Sequence, residues 1–434
     1  MAFYLKGVKV PHFKNTADVS PVRIDGVKRV TIPMVMHIGA PAKPIVKKGD
    51  EVKIGDLIGE QNGFVSSPVH SSISGKVVSV EDIILSNGKP CPAVTIESDG
   101  QSAVSEDIKV PTVKSREDLI ECMKNSGIVG LGGAGFPTYV KFATDKKIEY
   151  LVINGAECEP FITSDSVTMT ENADDIFDAI KILVKYFEIE NVVIGIENNK
   201  KKAIETITEK ASELSNVAVK ILPSVYPQGG EKVLVYHTTG RVIPLGKLPI
   251  DVGAVVCNST TIATFGKYLK TGIPLVEKCI TVDGGAVNEP KNVIAPIGTP
   301  LGDLFEFCGG FKTEPKKVLY GGPMMGITVP DLQAPVLKNT NAVLAFDEKQ
   351  AREPKTTACI KCGACANICP FSIDPTKIAK SLRENDFVTL KKVGAELCME
   401  CGCCSFVCPA KRPIVQNNRL AKIALREAAA KESK

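Results

Sequence analysis

The middle of the chain alternates short apolar runs with longer amphipathic stretches. The runs are rich in β-branched residues and have the length of strands, whereas the stretches repeat their apolar positions with helical spacing. This pattern predicts strands at 150–153, 191–197 and 218–222 and helices at 173–187 and 199–214. A β-α-β-α-β order predicts a parallel sheet covered by helices, in which ligands bind beyond the carboxyl ends of the strands.

Three polar loops are expected at that edge of the sheet, at 130–142, 154–160 and 226–232, and we expect them to converge on one site. The first loop reads GLGGAGFPTYVKF. Its glycines allow the backbone to approach a phosphate closely, and a helix that begins just after them favours an anion at its N-terminus. The glycines alone are equally compatible with an ordinary turn between a helix and a strand.

Two smaller patterns flank this α/β region. Residues 37–82 contain short strands separated by KKGD and SISGKV turns, which is typical of a small β sandwich. The segment resembles the lipoyl and biotinyl carrier fold, but SSPVHSS stands where the carrier lysine hairpin lies, so we expect a docking module. Residues 271–340 alternate strands with a short helix and a proline-rich turn, which predicts an α+β module.

Length and charge narrow the class of protein. At 434 residues the chain is too long for one core, and we expect domains at 1–110, 111–268, 269–345 and 346–434. The net charge of +4 is too small to indicate a nucleic-acid partner. No apolar run reaches the ~18 residues of a membrane-spanning helix, and the first residues lack the apolar core of a signal peptide. The sequence predicts a soluble, cytoplasmic chain and leaves docking onto a membrane partner open.

The cysteines are concentrated near the end of the chain, where C-x2-C-x2-C-x3-C-P occurs twice. This is the spacing of bacterial two-cluster ferredoxins, in which the fourth cysteine of each run binds the other cluster. It predicts two [4Fe–4S] clusters: cluster one on Cys359, Cys362, Cys365 and Cys408, and cluster two on Cys398, Cys401, Cys404 and Cys369. A pair of zinc sites is the alternative, although zinc usually takes two C-x2-C pairs. Cys403 lies between two ligands and is interpreted as a bystander.

The three loops contain the motifs of a known family. GGAGFPT followed by Lys141, NGAECEP at 154–160 and GGEK at 229–232 resemble the loops of the NADH- and FMN-binding flavoprotein subunit of respiratory complex I. With CGCCSFVCPAKRP and the order of the modules, nearly the whole chain resembles the C subunits of Rnf complexes, which are membrane-bound, ion-translocating ferredoxin:NAD oxidoreductases. The resemblance implies a multidomain α/β protein. Its parts would be an N-terminal barrel-sandwich hybrid, a Rossmann-like FMN- and NADH-binding domain, a β-grasp (SLBB) domain and a helix-rich ferredoxin domain.

The resemblance also implies the nucleotide contacts. The FMN phosphate and ring edge would lie on Gly130, Gly132, Gly133 and Lys141. The flavin would be lined by Asn154, Glu157 and Cys158, with Glu159 hydrogen-bonded to the dinucleotide. The rings that would stack on nicotinamide or adenine are Phe136 and Phe142. The third loop would add Tyr226, Gly230 and Glu231, and a fourth loop Asn258, Ser259 and Thr260.

An ordinary structural role stays open for several of these side chains. Phe136 and Phe142 are also typical core residues. Glu157 and Glu159 are also typical loop charges, and Cys158 is also a typical packed thiol.

The implied function is that of an NAD(H)-linked electron-transfer subunit. A flavin handles both hydride and single electrons, so FMN would stand between NAD(H) and the clusters. Other Rnf subunits would be the partners, and the chain would be peripheral on the cytoplasmic face of the membrane. One alternative is an electron-transfer subunit of a soluble reductase, such as the C protein of proline reductase. Another is a cluster relay without nucleotide binding, because Leu131, Ala156 and Lys232 depart from the family's pattern.

Overall fold

The computed structural model describes residues 5–432, and its N-terminal module contains two small antiparallel sheets. The strands up to residue 98 are β1 (Val22–Arg23), which pairs with a later module, and β2 (Arg29–Pro33), β3 (Lys43–Pro44), β4 (Glu51–Val52), β5 (Leu57–Glu60), β6 (Val69–His70), β7 (Gly75–Ile84) and β8 (Pro90–Ser98). The sheet orders are β2-β8-β7-β4 and β3-β5-β6. Residues of both sheets, among them Ile32, Ile58 and Ile96, are buried in one core. The predicted small sandwich is confirmed, and it extends beyond residue 82.

The hairpin at 66–74, which carries a lysine in carrier domains, is buried between modules. The hydroxyl of Ser67 donates to the carbonyl oxygen of Gly127 across 3.1 Å. The ammonium of Lys338 donates to the carbonyl oxygens of Pro68 at 2.6 Å and of Gly127 at 2.7 Å. These bonds join the sandwich to the two modules that follow, as a docking module requires.

The central module is a parallel four-stranded sheet covered by helices. Its helices are α1 (Arg116–Asn125), α2 (Thr138–Phe142), α3 (Ser164–Glu171), α4 (Ala173–Phe187), α5 (Lys201–Ala211), α6 (Glu231–Thr239) and α7 (Ser259–Thr271), with a 3-10 turn at Pro249–Val252. Its strands are β9 (Tyr150–Gly155), β10 (Asn191–Glu197), β11 (Val217–Leu222) and β12 (Ala254–Asn258). All three pairings in the order β11-β10-β9-β12 are parallel. The strand order reverses between β9 and β12, where Asn154 lies in register with Asn258. Ligand crevices of α/β sheets form at such switch points.

The third module is a mixed six-stranded sheet. It contains β13 (Glu277–Asp283), β14 (Lys291–Pro296), α8 (Leu301–Phe307), β15 (Lys317–Tyr320), β16 (Ile327–Thr328) and β17 (Ala342–Phe346). The order is β1-β14-β13-β17-β15-β16, so a strand from the start of the chain completes this sheet. Leu301, Leu304 and Phe305 bury one face of α8 in the shared core.

Short helices build the C-terminal module. They are α9 (Ala364–Asn367), α10 (Pro375–Arg383), α11 (Phe387–Lys392), a 3-10 turn at Ala395–Leu397, α12 (Cys403–Phe406) and α13 (Ile414–Glu432). The two cysteine runs fold alike, because α9 and α12 each follow a left-handed glycine, Gly363 and Gly402. Ile378 and Leu390 are fully buried beside α13. Within residues 5–432, every helix is either too short or too polar to cross a bilayer.

Two of the predicted domain boundaries differ from the structure. Helix α7 continues to Thr271 and ends at the left-handed Gly272, so the boundary at 268 falls inside it. Residues 5–24 leave the first module and pair with the other two, through a bridge from Val8 to Tyr226 and through β1. Sequence periodicity did not reveal this because both pairings join distant parts of the chain.

Candidate functional site

The first loop forms a closed glycine-rich turn with an exposed tip. The amide of Gly130 donates to the carbonyl oxygen of Phe136 at 2.8 Å, and the amide of Gly135 donates back to Gly130 at 3.0 Å. Between these bonds, Gly132 and Gly133 are exposed. A Cβ on Gly132 would lie 2.8 Å from the side-chain amide of Asn258, so only glycine lets this loop reach the fourth loop.

The other loops meet at the same edge of the sheet, as predicted. The side-chain amide of Asn154 donates to the carbonyl oxygen of Gly229 at 2.8 Å. The amide of Gly229 donates to the sulfur of Cys158 at 3.4 Å. The ammonium of Lys141 donates to the carbonyl oxygen of Val256 at 2.7 Å. Lys141 also lies 3.4 Å from Glu231, an exposed residue in the first turn of α6.

Three buried hydroxyls in these loops have no hydrogen-bond partner among the described residues. They belong to Thr138 in the first loop, to Tyr226 in the third loop and to Ser259 at the start of α7. A buried hydroxyl without a partner is costly, and a bound ligand removes that cost. Ser259 follows the helix cap Asn258, which lies beside Gly132 of the glycine loop, and the N-terminus of α7 at this place suits a phosphate. The residues present therefore fit FMN.

Glu157 is hydrogen-bonded inside the protein, and its predicted place beside the flavin stays a prediction. It is buried, and its carboxylate accepts from the amide of Asp165 and from the hydroxyl of Ser166, both at 2.6 Å. Its backbone has φ +48°, which turns the side chain toward the first turn of α3. Burial raises the pKa of Glu157 to about 7.

Glu159 is also used inside the protein. Its carboxylate accepts from the backbone amides of Met324 at 3.0 Å and Met325 at 2.8 Å, in a loop of the third module. Burial raises the pKa of this carboxyl to about 7. Each oxygen accepts from a protein donor and so joins two modules, and the predicted bond to the dinucleotide stays a prediction.

The two predicted stacking rings differ in exposure. Phe142 is fully buried, with its ring centroid 5.0 Å from that of Phe187, and it offers no face to a ligand. The stacking role predicted for Phe142 is therefore wrong, and the core role is the observed one. Phe136 is half-buried beside the glycine loop, and its stacking role stays a prediction.

Cys158 lies between the second and third loops. Burial raises the pKa of its thiol to about 12, so the sulfur is neutral at physiological pH. It accepts the amide of Gly229 and packs in a cluster with Tyr226, Cys401 and Cys403. The thiol thus connects the nucleotide loops with the second cysteine run.

Asp165 organises the fourth loop, and sequence motifs did not identify it. Its carboxylate accepts from the side-chain amide of Asn258 at 2.7 Å and from the hydroxyl of Thr260 at 2.6 Å. The ammonium of Lys278 donates to the carbonyl oxygen of Leu131 in the glycine loop. The only available signal for Asp165 was an acid just after the second loop.

Five cysteines of the C-terminal module line one cavity. They are Cys369, Cys398, Cys401 and Cys404, the set predicted for cluster two, together with Cys403. The side-chain amide of Asn418 donates to the sulfur of Cys398 at 3.4 Å, a bond that suits a thiolate ligand. Across residues 5–432, no three His, Cys, Asp or Glu side chains gather closely enough for a single metal ion.

The cysteines of the other set are divided between the interior and the surface. Cys365 and Cys408 are buried in one small apolar cluster, although they come from different runs. Cys359 and Cys362 are exposed. The same cluster also contains Cys404, so the exchange of the fourth cysteine between the two runs stays a prediction.

The second cysteine run packs directly against the third loop. Cys403 is 1% exposed, and its thiol donates to the carbonyl oxygen of Tyr226 at 3.7 Å. A Cβ on Gly230 would collide with the side chain of Met399. Cys403 and Met399 therefore lie between the cysteine-lined cavity and the nucleotide loops.

Three family models match the first three modules. The RnfC barrel-sandwich hybrid domain matches residues 3–101, the Nuo51 FMN-binding domain residues 123–266, and the SLBB domain residues 279–328. They cover the sandwich, the parallel sheet with its loops, and the start of the mixed sheet.

The C subunits of three oxidoreductase complexes are similar over most of the chain. The one from the Na(+)-translocating ferredoxin:NAD(+) oxidoreductase complex of Acetobacterium woodii is 43% identical over 422 residues, which cover 96% of this chain and 95% of that protein. Its counterpart in the proton-translocating ferredoxin:NAD(+) oxidoreductase complex of Clostridium ljungdahlii is 42% identical, covering 84% and 81%. The counterpart in the ion-translocating oxidoreductase complex of Rhodobacter capsulatus is 38% identical, covering 92% and 78%.

A solved structure shares the fold. A chain in the crystal structure of NAD+-reducing [NiFe]-hydrogenase in the H2-reduced state superimposes with a TM-score of 0.51 and 18% identity. The match covers 72% of this chain and 63% of that one, which is under two thirds of its length. At this identity the similarity concerns the fold alone.

Proposed function

Because this chain belongs to the family of C subunits of ion-translocating ferredoxin:NAD(+) oxidoreductase complexes, the Rnf complexes, we propose that it is the NAD(H)-linked electron-transfer subunit of such a complex. It would hold FMN and NAD(H) at the four loops and two [4Fe–4S] clusters in the C-terminal module. The observation that carries the proposal is the direct packing of the second cysteine run on the third nucleotide loop, through Cys403 and Tyr226.

The residues proposed to hold FMN are those with free polar groups or exposed backbone at the loops. The glycine turn at Gly132 and Gly133 is open to a phosphate, and Ser259 keeps a buried hydroxyl without a partner among the described residues. Asn154 fixes the third loop through Gly229, so it positions the pocket as well as lining it. When bound, FMN exchanges a hydride with NAD(H) and single electrons with iron–sulfur clusters.

The chain's own residues position and shield the site. The thiol of Cys158 is neutral and buried, and both Glu157 and Glu159 use their carboxylates within the protein. No side chain is needed as acid or base for hydride transfer. Placement of the bound groups and burial around them are the protein's contribution.

The two cysteine sets differ in their surroundings, and this difference supports an order of the two clusters along the path of the electrons. Cys401 is buried with Cys403 and Tyr226 next to the third loop, so the set that contains Cys401 lies on the nucleotide side. Cys359 and Cys362 are exposed, and the neighbouring Ile360 is 65% exposed. We assign the set predicted for cluster one, which contains these two exposed cysteines, to the side that meets another subunit of the complex, on the cytoplasmic face of the membrane.

An anaerobic NADH titration of the holoprotein, supplied with FMN and followed by its visible spectrum, tests the proposal. We expect NADH to bleach the flavin band and the broad iron–sulfur absorbance. If dithionite bleaches the clusters and NADH bleaches nothing, the chain is a cluster relay without nucleotide binding. Recovery of the chain from membranes together with other subunits separates a member of a membrane complex from a subunit of a soluble reductase.

A further inference from the structure

We propose that residues 5–16, here called the N-terminal strap, position the second and third nucleotide loops against the second cysteine run. The strap would fix the spacing between the nucleotide pocket and the cluster-two cavity. This inference rests on the proposed function. It adds an element from the far end of the chain to the path between the two sites.

The first part of the strap pairs with the third loop. The amide of Val8 donates to the carbonyl oxygen of Tyr226 at 2.8 Å, and the amide of Tyr226 donates back to Val8 at 2.9 Å. The amide of Leu5 donates to the ring of His237 at 2.9 Å, in the helix that follows this loop. A Cβ on Gly7 would collide with the carbonyl oxygen of Tyr226, so the close approach requires glycine there.

The last part of the strap holds the second loop. The ammonium of Lys14 donates to the carbonyl oxygens of Glu157 at 3.0 Å, of Glu159 at 2.9 Å and of Ile162. A lysine ammonium has three donors, and here each finds a backbone acceptor. These carbonyls belong to an irregular segment with positive φ at Glu157 and Phe161, which its own backbone bonds do not stabilise as a helix or strand.

A ring contact strengthens the same attachment. Phe13 stacks on Phe161 with the centroids 4.9 Å apart, and the amide of Phe161 donates to the carbonyl oxygen of His12 at 2.9 Å. The side chain of Lys14 is deeply buried, and burial lowers its pKa to about 8. A buried ammonium is stable only where its hydrogen bonds are satisfied, as they are at this loop.

The middle of the strap closes the junction with the cysteine run. Val8 and Val10 point inward and are buried in one cluster with Tyr226, Cys401 and Cys403. Lys9, which lies between them, is exposed. The strap therefore excludes water from the contact between the third loop and the cysteines that line the cavity. Functional groups must be held within about 0.5 Å of their productive geometry, and this segment supplies part of that support.

Gly7→Ala and Lys14→Met test the strap, with Lys9→Ala as the control on the same segment. Three properties of each anaerobic holoprotein are measured: FMN affinity by fluorescence, hydrogen exchange at residues 157–162 and 226–230, and the separate rates at which NADH reduces flavin and clusters. We expect both test variants to keep their clusters and to lose exchange protection at these loops. Cluster reduction should slow about tenfold or more relative to flavin reduction. Lys9→Ala should match the parent.

The outcomes separate this inference from the proposed function. If NADH reduces nothing in the parent, the proposed function is wrong, and exchange at 226–230 in Gly7→Ala still reports on the strap. If the parent is active and both variants keep its exchange protection and its ratio of rates, the strap inference is overturned. A variant that melts at a lower temperature but keeps the parent's rates and exchange protection also overturns the strap inference. Gly7→Ala adds one methyl group at the surface of contact, so it remains informative if Lys14→Met fails to fold.

Discussion

The thiol of Cys403 reaches the carbonyl oxygen of Tyr226 across 3.7 Å and so joins two modules whose motifs lie 177 residues apart. Cys403 is the cysteine that the C-x2-C-x2-C-x3-C spacing leaves over, and its place explains why it is a cysteine. It is small and apolar enough to be buried, and it still donates a weak hydrogen bond.

Cys403→Ala should therefore leave both clusters in place. We expect unchanged iron and sulfide content and a slower reduction of the clusters by NADH, because the contact with the third loop is lost. Cys404→Ala, the matched change at the neighbouring position, should remove about half of the iron. Iron and sulfide assays with electron paramagnetic resonance make the comparison, and loss of iron from Cys403→Ala would show that Cys403 is a ligand.

The grouping of the cysteines predicts which single variants resemble each other. Cys369→Ala should change the same resonance signal as Cys398→Ala, because both residues line one cavity. Cys408→Ala should change the other signal, since Cys408 packs with Cys365. Electron paramagnetic resonance spectra of the reduced variants show which cysteines share a cluster. Pairing of Cys369 with Cys365 instead would mean that each run binds its own cluster.

Ser259→Ala should weaken FMN binding about tenfold, since the buried hydroxyl has no partner among the described residues and can meet a ligand. The stability of the protein without FMN should stay the same or rise. Ser71→Ala is the control, because Ser71 is equally buried but donates to the carbonyl oxygen of Ile73. It should lower stability and leave FMN affinity unchanged. Fluorescence titration and thermal unfolding measure the two effects, and equal FMN affinity of Ser259→Ala and the parent would contradict the prediction.

Glu159 predicts a dependence of stability on pH. Burial raises its pKa from 4.5 to about 7 in the folded chain, so the folded state binds the proton more tightly than the unfolded state. Its contribution is fully present below pH 4.5 and is lost as the pH rises through 7, by about 3 kcal/mol.

Glu159→Gln removes this titration. The difference in unfolding free energy between parent and variant should therefore shrink as the pH rises across that window. The variant itself should be less stable at low pH, because an amide nitrogen cannot accept from Met324 or Met325. Chemical unfolding at several pH values tests this, and a difference that does not vary with pH would refute it.

Local patterns predicted the elements that depend on local physics. Helix α4 and strand β10 have the predicted bounds, because their apolar periodicity and the turns beside them are written in consecutive residues. The grouping of the cysteines into two ligand sets stays a prediction from their spacing.

Contacts between distant residues decided the rest. Glu157 turns to Ser166, Glu159 turns to Met324, and Phe142 packs on Phe187, so three side chains in matched motifs serve the protein interior. Lys14 carries no motif, and its three carbonyl partners are brought near it only by the fold. A motif locates a loop reliably, whereas the direction of each side chain depends on what packs behind it.

The buried hairpin at 66–74 gives this sandwich a purpose opposite to that of the carrier domains it resembles. A carrier domain works by travelling, with its cargo tethered at the hairpin tip. Here Ser67 and the ammonium of Lys338 anchor that tip to Gly127. The sandwich therefore holds the neighbouring modules in fixed alignment.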